Sequence, residues 1–487
     1  MYRFLNWVER YGNKIPNPSL MFLGLSLFVI LLSWLLGSIE WQALHPVKQT
    51  NIIVNSLVSA EGLRFVLTSM VSNFINFAPV GIVLVAMLGL GIAEKSGLMN
   101  FLLLKLVGIS QQKGLTFLVA FSGIMSSMAS DAGYVVLLPI SALLFHQAGR
   151  PPIAGIATAF AGVSAGYAAN LFVGPFDALL SGISTSAAQI INPNAEVAVT
   201  SNWFFLIFST FLLSIIITFI TETRQWQKLV NTTSSADEPA ATTAQNGRGL
   251  LSFSFFFLAI VALFTFPDNA PLRNPETGSL TQSPFIDGIV IIIGIYFAGL
   301  GIVFGFNNQT FKESADIIKA MENTMASLSG YLVLMFFAAQ FVAYFNWSQI
   351  GLIISIKGAG FLTSLAISEF TILIIFVLIT AFINLFIGSG SAKWALIAPV
   401  FLPMLMITGI SPEVTQMAYR IGDSSTNIIS PMMPYFALAL SFLQKHHHEA
   451  GMGTLLSAMI PYSLGILVIW LVVFLIWLAL GIPLGLQ

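Results

Sequence analysis

Residues 388–393 read Gly-Ser-Gly-Ser-Ala-Lys, and they interrupt a long apolar stretch, 365–408. A membrane-spanning helix needs about 20 mostly apolar residues, so this stretch is too long for one crossing. Non-helical backbone at membrane depth is tolerated only where protein or a wet cavity surrounds it. We therefore predict a re-entrant helical hairpin over 365–408, with two ordinary crossings as the alternative.

A second interrupted stretch, 115–145, has the same layout, with Ser-Ser-Met-Ala-Ser-Asp-Ala-Gly at 126–133. Each predicted hairpin is followed by an apolar stretch that contains Gly, Ser, Asn and Pro, at 153–190 and at 413–443. Both stretches predict a helix that is broken within the membrane. The shared order predicts an internal repeat, although two Gly/Ser-rich stretches could also resemble each other by chance.

The composition of the whole chain is that of a membrane protein. Of its 487 residues, 8% are charged and 56% are hydrophobic, whereas a soluble domain carries roughly 25% charged residues. We predict an all-α polytopic membrane protein with nine transmembrane helices and two re-entrant hairpins. The predicted crossings are 18–38, 66–93, 153–190, 203–221, 250–266, 286–306, 330–356, 413–443 and 454–482.

Several classes of protein are disfavoured at this stage. The net charge of −1 gives no basic surface for a nucleic acid, and the lack of Cys excludes disulfides and thiol nucleophiles. Neither a phosphate-binding loop nor a protease-like catalytic arrangement occurs in the predicted crossings, so we predict that the chain is not an enzyme. We also expect no cleavable signal peptide, because the N-terminal residues are charged and polar.

The distribution of basic residues predicts the orientation. Most of the 19 Lys and Arg residues fall on the cytoplasmic side if the N-terminus is cytoplasmic. The two hairpins then enter the membrane from opposite sides, as in secondary transporters with inverted repeats. The predicted halves are 1–221 and 250–487, joined by a polar cytoplasmic linker, 222–249.

Charged side chains inside a bilayer are costly and usually functional. Five fall within the predicted spans: Asp131, Asp177, Lys393, Arg420 and Asp423. Arg420 and Asp423 are three residues apart and share a helix face, either as a structural pair or as a substrate carboxylate receptor beside a cation or proton carrier. Asp177 is a second candidate carrier, with a helix cap as the alternative.

Uncharged residues supply further candidates. Asn170, Asn384 and Asn427 offer carbonyl oxygens to a cation, or they cap half-helices. Trp394 could stack on an aromatic ligand or serve as a packing residue, and Pro412 and Pro431 bracket the second broken helix, where their ordinary role is to break it. The His run at 446–448 could bind a metal, although a solvated turn is the more ordinary interpretation.

Five stretches resemble the aminobenzoyl-glutamate transporter (AbgT) family: 12–18, 130–137, 159–171 with its continuation through Asp177 to 182–185, 388–395 and 419–427. The resemblance implies a homodimer in a bacterial inner membrane, with Na⁺ or H⁺ as coupling ion and no organic cofactor. It also implies either uptake of p-aminobenzoyl-glutamate or export of sulfonamide antimetabolites. The positions that match the functional residues of the family are Asp177, Asn384, Ser391, Trp394, Pro412, Arg420, Asp423 and Pro431.

We therefore expect a cation-coupled antiporter that exports p-aminobenzoate-like drugs, with p-aminobenzoyl-glutamate uptake as the alternative and a channel as a remote one. Arg420 and Ser391 are expected to contact the acidic or sulfonyl oxygens of the substrate, and Trp394 its ring. Asp423, Asp177 and Asn384 are expected to handle the coupling cation.

Overall fold

The computed structural model describes residues 18–44, 50–108, 114–129, 133–223, 246–279, 283–430, 433, 435–447 and 450–486, and these are mostly helical. The α-helices of the first half are Pro18–Ser38, Ala60–Ile75, Ala78–Lys95, Leu98–Gly108, Leu115–Met125, Leu138–Gln147, Pro152–Phe160, Pro175–Ala188 and Trp203–Thr223. Those of the second half are Leu250–Thr265, Pro284–Asp287, Ile289–Asn307, Ser314–Ser327, Ser329–Trp347, Ile350–Ser364, Glu369–Asn384, Gly390–Ile407, Pro412–Asn427, Phe436–His446 and Met452–Ala479.

Short irregular elements complete the described secondary structure. Ser126–Ala129 forms a 3₁₀ turn, and Gly133–Leu137 and Ala161–Ala165 form π-helical turns. The short strands Gln42–Leu44 and Asn51–Ile53 pair antiparallel, with Gln42 opposite Ile53.

The outer surface of the helical bundle is apolar. Among the described residues, seven helices are long and apolar enough to cross a membrane. Large side chains such as Leu67, Phe219 and Leu251 remain exposed on the protein surface, which is favourable only where lipid or another protein covers them. The chain is therefore a multi-pass membrane protein. The count of nine crossings and two re-entrant hairpins stays a prediction.

Two stretches that we predicted as single crossings each contain two helices. The stretch 330–356 is divided because Gln349 has a positive φ of 62°, which an α-helix does not accommodate. The stretch 66–93 is divided after Ile75, and the next helix begins with Pro79 in its first turn. Proline suits a helix start because its missing N–H has no partner there in any case.

The second predicted hairpin contains two helices separated by a short non-helical segment. The helix Glu369–Asn384 ends before that segment, and the helix Gly390–Ile407 begins after it. Ser389 caps the second helix, with its hydroxyl accepting a hydrogen bond from the backbone N–H of Ala392 at 3.3 Å. The break is thus 385–389, somewhat earlier than the sequence alone predicted, because a serine N-cap starts a helix in the residues that follow it.

Glycines allow each predicted hairpin to pack closely on the broken helix that follows it. A Cβ on Gly162 would lie 2.6 Å from the carbonyl oxygen of Ala120, and one on Gly422 would lie 2.5 Å from that of Val377. No real side chain tolerates such distances, so only glycine permits both contacts. The two repeats therefore use the same packing solution.

The helix Ser314–Ser327 lies at the protein surface, with most of its residues exposed. Asp316 caps its start by accepting hydrogen bonds from the backbone N–H groups of Lys312 at 2.7 Å and Glu313 at 3.2 Å. These bonds favour the ionised carboxylate, and they lower the pKa of Asp316 below its usual value.

Several predicted features lie outside the described residues. They are Asp131, Pro431, His448, the N-terminal residues 1–17 and most of the predicted linker, 224–245.

Candidate functional site

A cavity of about 410 Å³ lies where both hairpin tips and both helix breaks meet. This volume falls within the usual range for small-molecule sites, roughly 300–1,000 Å³. The described lining residues are Val83, Met87, Ser127, Tyr134, Tyr167, Pro175, Phe176, Leu179, Leu328, Tyr331, Gly388, Ser389, Gly390, Ser391, Asp423, Asn427, Met433 and Tyr435. Three of the predicted site residues, Ser391, Asp423 and Asn427, are therefore on its wall.

The first broken helix opens between Gly166 and Gly174, and its second half starts at Pro175. Asp177 caps this restart, since its Oδ2 accepts a hydrogen bond from the backbone N–H of Gly174 at 2.7 Å. Asn170 ties the break to the first hairpin tip by donating from Nδ2 to the hydroxyl of Ser127 at 2.8 Å. The capping role that we weighed for Asp177 is present, together with a second contact.

That second contact is an ion pair between the two repeats. The Arg420 guanidinium nitrogen Nη1 lies 2.7 Å from Oδ1 of Asp177, and both side chains are buried. Arg420 also lies over the ring of Phe176, and its Nη1 donates to the carbonyl of Ala168 at 3.4 Å. Its buried Nε has no hydrogen-bond partner among the described residues. The guanidinium therefore joins the two broken helices, and its Nε–H remains available as a donor within the described part of the chain.

Asp423 has a different partner, within its own repeat. Its Oδ1 forms an ion pair with the ammonium of Lys393, which is fully buried in the first turn of the helix Gly390–Ile407. Of the two alternatives for Arg420 and Asp423, the structural pair between them is therefore not formed. They lie one turn apart on one helix, but tertiary packing brings a closer opposite charge to each of them.

Asn384 lies at the centre of a hydrogen-bond network in the second repeat. The two hydrogens on its Nδ2 are shared among three acceptors: the carbonyl of Asp423 at 2.7 Å, Thr426 Oγ1 at 2.9 Å and Asn427 Oδ1 at 2.9 Å. Its Oδ1 accepts from the ammonium of Lys393. Asn384 thus fixes the end of one hairpin arm against the second broken helix.

Trp394 lies inside the protein rather than on the cavity wall. Its ring centroid is 4.4 Å from that of Tyr419, and its Nε1 donates to the hydroxyl of Ser184 at 3.0 Å. The side chain is completely buried, so ring stacking on a ligand in the cavity is not available in this conformation. Pro412 starts the helix Pro412–Asn427 and is also absent from the described lining, and Pro431 lies outside the described residues.

The aromatic wall of the cavity comes from residues that sequence reasoning did not single out. Tyr134 stacks on Tyr435 with a centroid distance of 4.1 Å, and Tyr167 meets Phe176 edge-on at 5.0 Å. Tyr331 adds a further ring from outside the two repeats. Their positions in the sequence could have identified them, because four of these five aromatics flank the predicted breaks.

Among the described residues, no group of three His, Asp or Glu side chains could hold a metal ion. The metal-binding alternative for the His run, of which His446 and His447 are described, thus has no support within that part of the chain.

Comparison with known proteins agrees with this arrangement. The model of the AbgT transporter family matches residues 3–487. The p-aminobenzoyl-glutamate transport protein of Escherichia coli K12 is 37% identical, over 99% of this chain and 96% of the relative. The solved YdaH transporter of Alcanivorax borkumensis is 50% identical with a TM-score of 0.94, covering 96% of this chain and 100% of that one.

The solved MtrF of Neisseria gonorrhoeae, described as illuminating a class of antimetabolite efflux pumps, is 44% identical with a TM-score of 0.90 and covers 97% of each chain. Both structural relatives share the entire fold rather than one half of it. The chain, with its interrupted helices meeting at one cavity, belongs to the AbgT family of transporters.

Proposed function

We propose that this chain is a secondary antiporter that exports p-aminobenzoate-like aromatic compounds, with sulfonamide antimetabolites as the preferred substrates. The observation that carries the proposal is the cavity of about 410 Å³ at the junction of both hairpin tips and both helix breaks. Secondary transporters bind substrate at such junctions of discontinuous helices. The similarity to an antimetabolite efflux pump supports the direction of transport.

The chemistry of the cavity wall supports an aromatic substrate of low negative charge. Tyrosine and phenylalanine rings line the cavity, and Ser391 and Asp423 supply polar groups. None of the described lining residues is Lys or Arg, so the cavity wall offers no cationic side chain to a substrate carboxylate. A sulfonamide offers a ring and hydrogen-bonding oxygens without a full carboxylate charge, and we assign its ring to the tyrosines and its polar end to Ser391.

Uptake of p-aminobenzoyl-glutamate is the second candidate. Two observations favour it: the name of the Escherichia coli relative and the Nε of Arg420, which has no hydrogen-bond partner in the described part of the chain. A guanidinium with a free donor could receive a carboxylate, if the substrate reached past Phe176. A channel is disfavoured because paired broken helices are the layout of alternating-access transporters.

We further propose that a cation gradient, of Na⁺ or H⁺, drives transport through the region of Asp423, Asp177 and Asn384. The protein would work as a homodimer in a bacterial inner membrane, with its N-terminus in the cytoplasm. The large apolar side chains on its surface and the predominance of basic residues on one predicted side support the membrane part of this proposal.

The test is flux in proteoliposomes that contain the purified protein. Labelled sulfonamide and labelled p-aminobenzoyl-glutamate are supplied separately, and pH and Na⁺ gradients are imposed one at a time. We expect gradient-dependent sulfonamide flux that D423A abolishes. Gradient-driven flux of p-aminobenzoyl-glutamate alone would establish the second candidate, and flux without dependence on either gradient would establish a channel.

A further inference from the structure

Lys393 occupies an unfavourable position for a positive charge. It lies in the first turn of the helix Gly390–Ile407, and its side chain is 0% exposed. The N-terminal end of a helix carries a partial positive charge, and burying an ammonium is costly unless it is paired and fully hydrogen-bonded. The position therefore requires strong compensation from nearby oxygens.

Three oxygen atoms supply this compensation. The ammonium contacts Oδ1 of Asp423 and Oδ1 of Asn384, and it lies 3.4 Å from the carbonyl oxygen of Ile387. That carbonyl belongs to the non-helical segment 385–389. We call these three atoms the oxygen cage. An ammonium has three N–H donors, so the cage satisfies all of them.

The oxygen cage has the composition of a site for a hard cation. A carboxylate, an amide oxygen and an unwound backbone carbonyl are the groups that coordinate Na⁺ at broken helices. Two of the three, Asp423 and Asn384, are the residues that we expected to bind a coupling cation. With Lys393 in place, however, every oxygen of the cage already faces a positive charge.

The net charge of the side chains around the cage also disfavours a bound Na⁺. Asp423 and Lys393 form a neutral pair, and the nearby Arg420 and Asp177 form another. A Na⁺ ion in the cage would add an uncompensated positive charge in direct contact with an ammonium, between side chains that are almost fully buried, where the repulsion is stronger than in water. The residues present therefore do not fit a bound Na⁺.

We propose that Lys393 is a tethered cation: its ammonium fills the oxygen cage and excludes Na⁺ from it. A consequence for transport, which rests on the proposed function, is that a Na⁺ gradient does not drive flux in this chain. The exclusion of Na⁺ from the cage does not depend on transport, and it can be measured on the purified protein without substrate.

The experiment compares the wild type with K393M in two measurements. The first is ²²Na⁺ binding in detergent. The second is the midpoint temperature of thermal unfolding, measured with Na⁺ and with N-methylglucamine in its place at constant ionic strength. Methionine fills part of the volume of the lysine side chain but leaves the carboxylate of Asp423 without a cation. We expect no saturable Na⁺ binding by the wild type. K393M should bind Na⁺ saturably, and Na⁺ should raise its thermal midpoint, because a ligand of the folded state stabilises it.

Two controls distinguish the oxygen cage from general effects. Lys357 is exposed beside the ring of Trp41, so K357M makes the same chemical change elsewhere and should bind no Na⁺. The double variant K393M/D423N removes the carboxylate and should lose the site again. A lysine with a merely structural role would give no Na⁺ binding in folded K393M, and that result would overturn the proposal.

If K393M does not fold, Na⁺ binding by the wild type still tests the proposal. Saturable Na⁺ binding by the wild type that D423N removes would overturn the proposal, and its absence would support it. Sulfonamide flux is measured separately. A wild type without flux and without Na⁺ binding would contradict the proposed function while leaving the tethered cation intact.

Discussion

The two buried ion pairs differ in what they connect. Arg420–Asp177 joins the second broken helix to the first, whereas Lys393–Asp423 stays within the second repeat and borders the cavity. Both pairs use the helix Pro412–Asn427, with their charges one turn apart. Neighbouring opposite charges on one helix are therefore no guide to pairing where tertiary contacts offer each a closer partner.

The two ion pairs therefore have different roles in the protein. The inter-repeat pair is shielded by Phe176 and lies outside the described cavity lining, so it fixes the relation of the two broken helices. The other pair places Asp423 on the cavity wall and closes the oxygen cage. The first pair should thus dominate stability, and the second should dominate ion selectivity.

The largest expected effect comes from breaking the inter-repeat pair. R420M leaves Asp177 as a buried unpaired charge, which should cost about 3–5 kcal/mol of unfolding free energy. The double variant R420M/D177N should recover much of this loss, as a double-mutant cycle in denaturant titrations would show. A double variant as unstable as the sum of the single variants would contradict the pairing.

A smaller effect is expected from D177N, because asparagine keeps the helix cap and can still accept a hydrogen bond from Arg420. We expect a loss of about 2–3 kcal/mol, since the guanidinium loses its counter-charge. D316N is the matched control: Asp316 caps the helix Ser314–Ser327 in the same way but is only partly buried and has no arginine partner among the described residues. Equal losses in the two variants, measured by the same titration, would show that only capping matters.

The glycine contacts test how the second pair is positioned. G422A should destabilise the protein by about 1–3 kcal/mol, because the new methyl group would meet the carbonyl of Val377 and push Asp423 away from Asn384. G24A, on an open helix face with no atom within 4 Å, should be neutral or slightly stabilising, because alanine favours a helix more than glycine does; thermal unfolding of both variants measures the difference. A destabilised G24A would point to a general effect of alanine.

The smallest predicted effect separates the cavity aromatics from the buried tryptophan. Y435A should raise the KM for sulfonamide roughly fivefold, equivalent to about 1 kcal/mol of aromatic stacking. W394F should leave the KM unchanged, because Trp394 is buried against Tyr419. Proteoliposome flux at varied substrate concentration measures both values. A KM increase confined to W394F would restore the ring-stacking role that the sequence suggested for Trp394.

Much of this architecture could be predicted from local chemistry. Low charge and long apolar stretches predicted a polytopic helical protein, and the AbgT resemblance is confirmed by the family match. The helix start at Gly390 follows from Ser389 as a cap. Helix divisions such as the one at Gln349 were missed, because a positive φ at a non-glycine residue leaves no mark in the hydropathy pattern.

The candidate site was harder to predict than the fold. Four of the five charges predicted within the membrane, Asp177, Lys393, Arg420 and Asp423, are described and buried; their rarity identified them, but their partners could not be assigned. Asp177 and Arg420 are 243 positions apart, and nothing local links them. The aromatic wall was missed because tyrosines are ordinary residues in apolar helices, and only the folded chain shows that they face a common cavity.

The sequence by itself determined the class of the protein, its family and some of the segments in which helices are interrupted, because burial in lipid and backbone hydrogen bonding act on each segment locally. Tertiary structure alone decided which charges pair, which aromatics face the cavity and what fills the oxygen cage. These outcomes depend on distances between segments far apart in the chain. Lys393 illustrates both parts. The sequence predicts a lysine within the membrane at this position, but it does not predict that the ammonium lies among the oxygens of Asp423, Asn384 and Ile387.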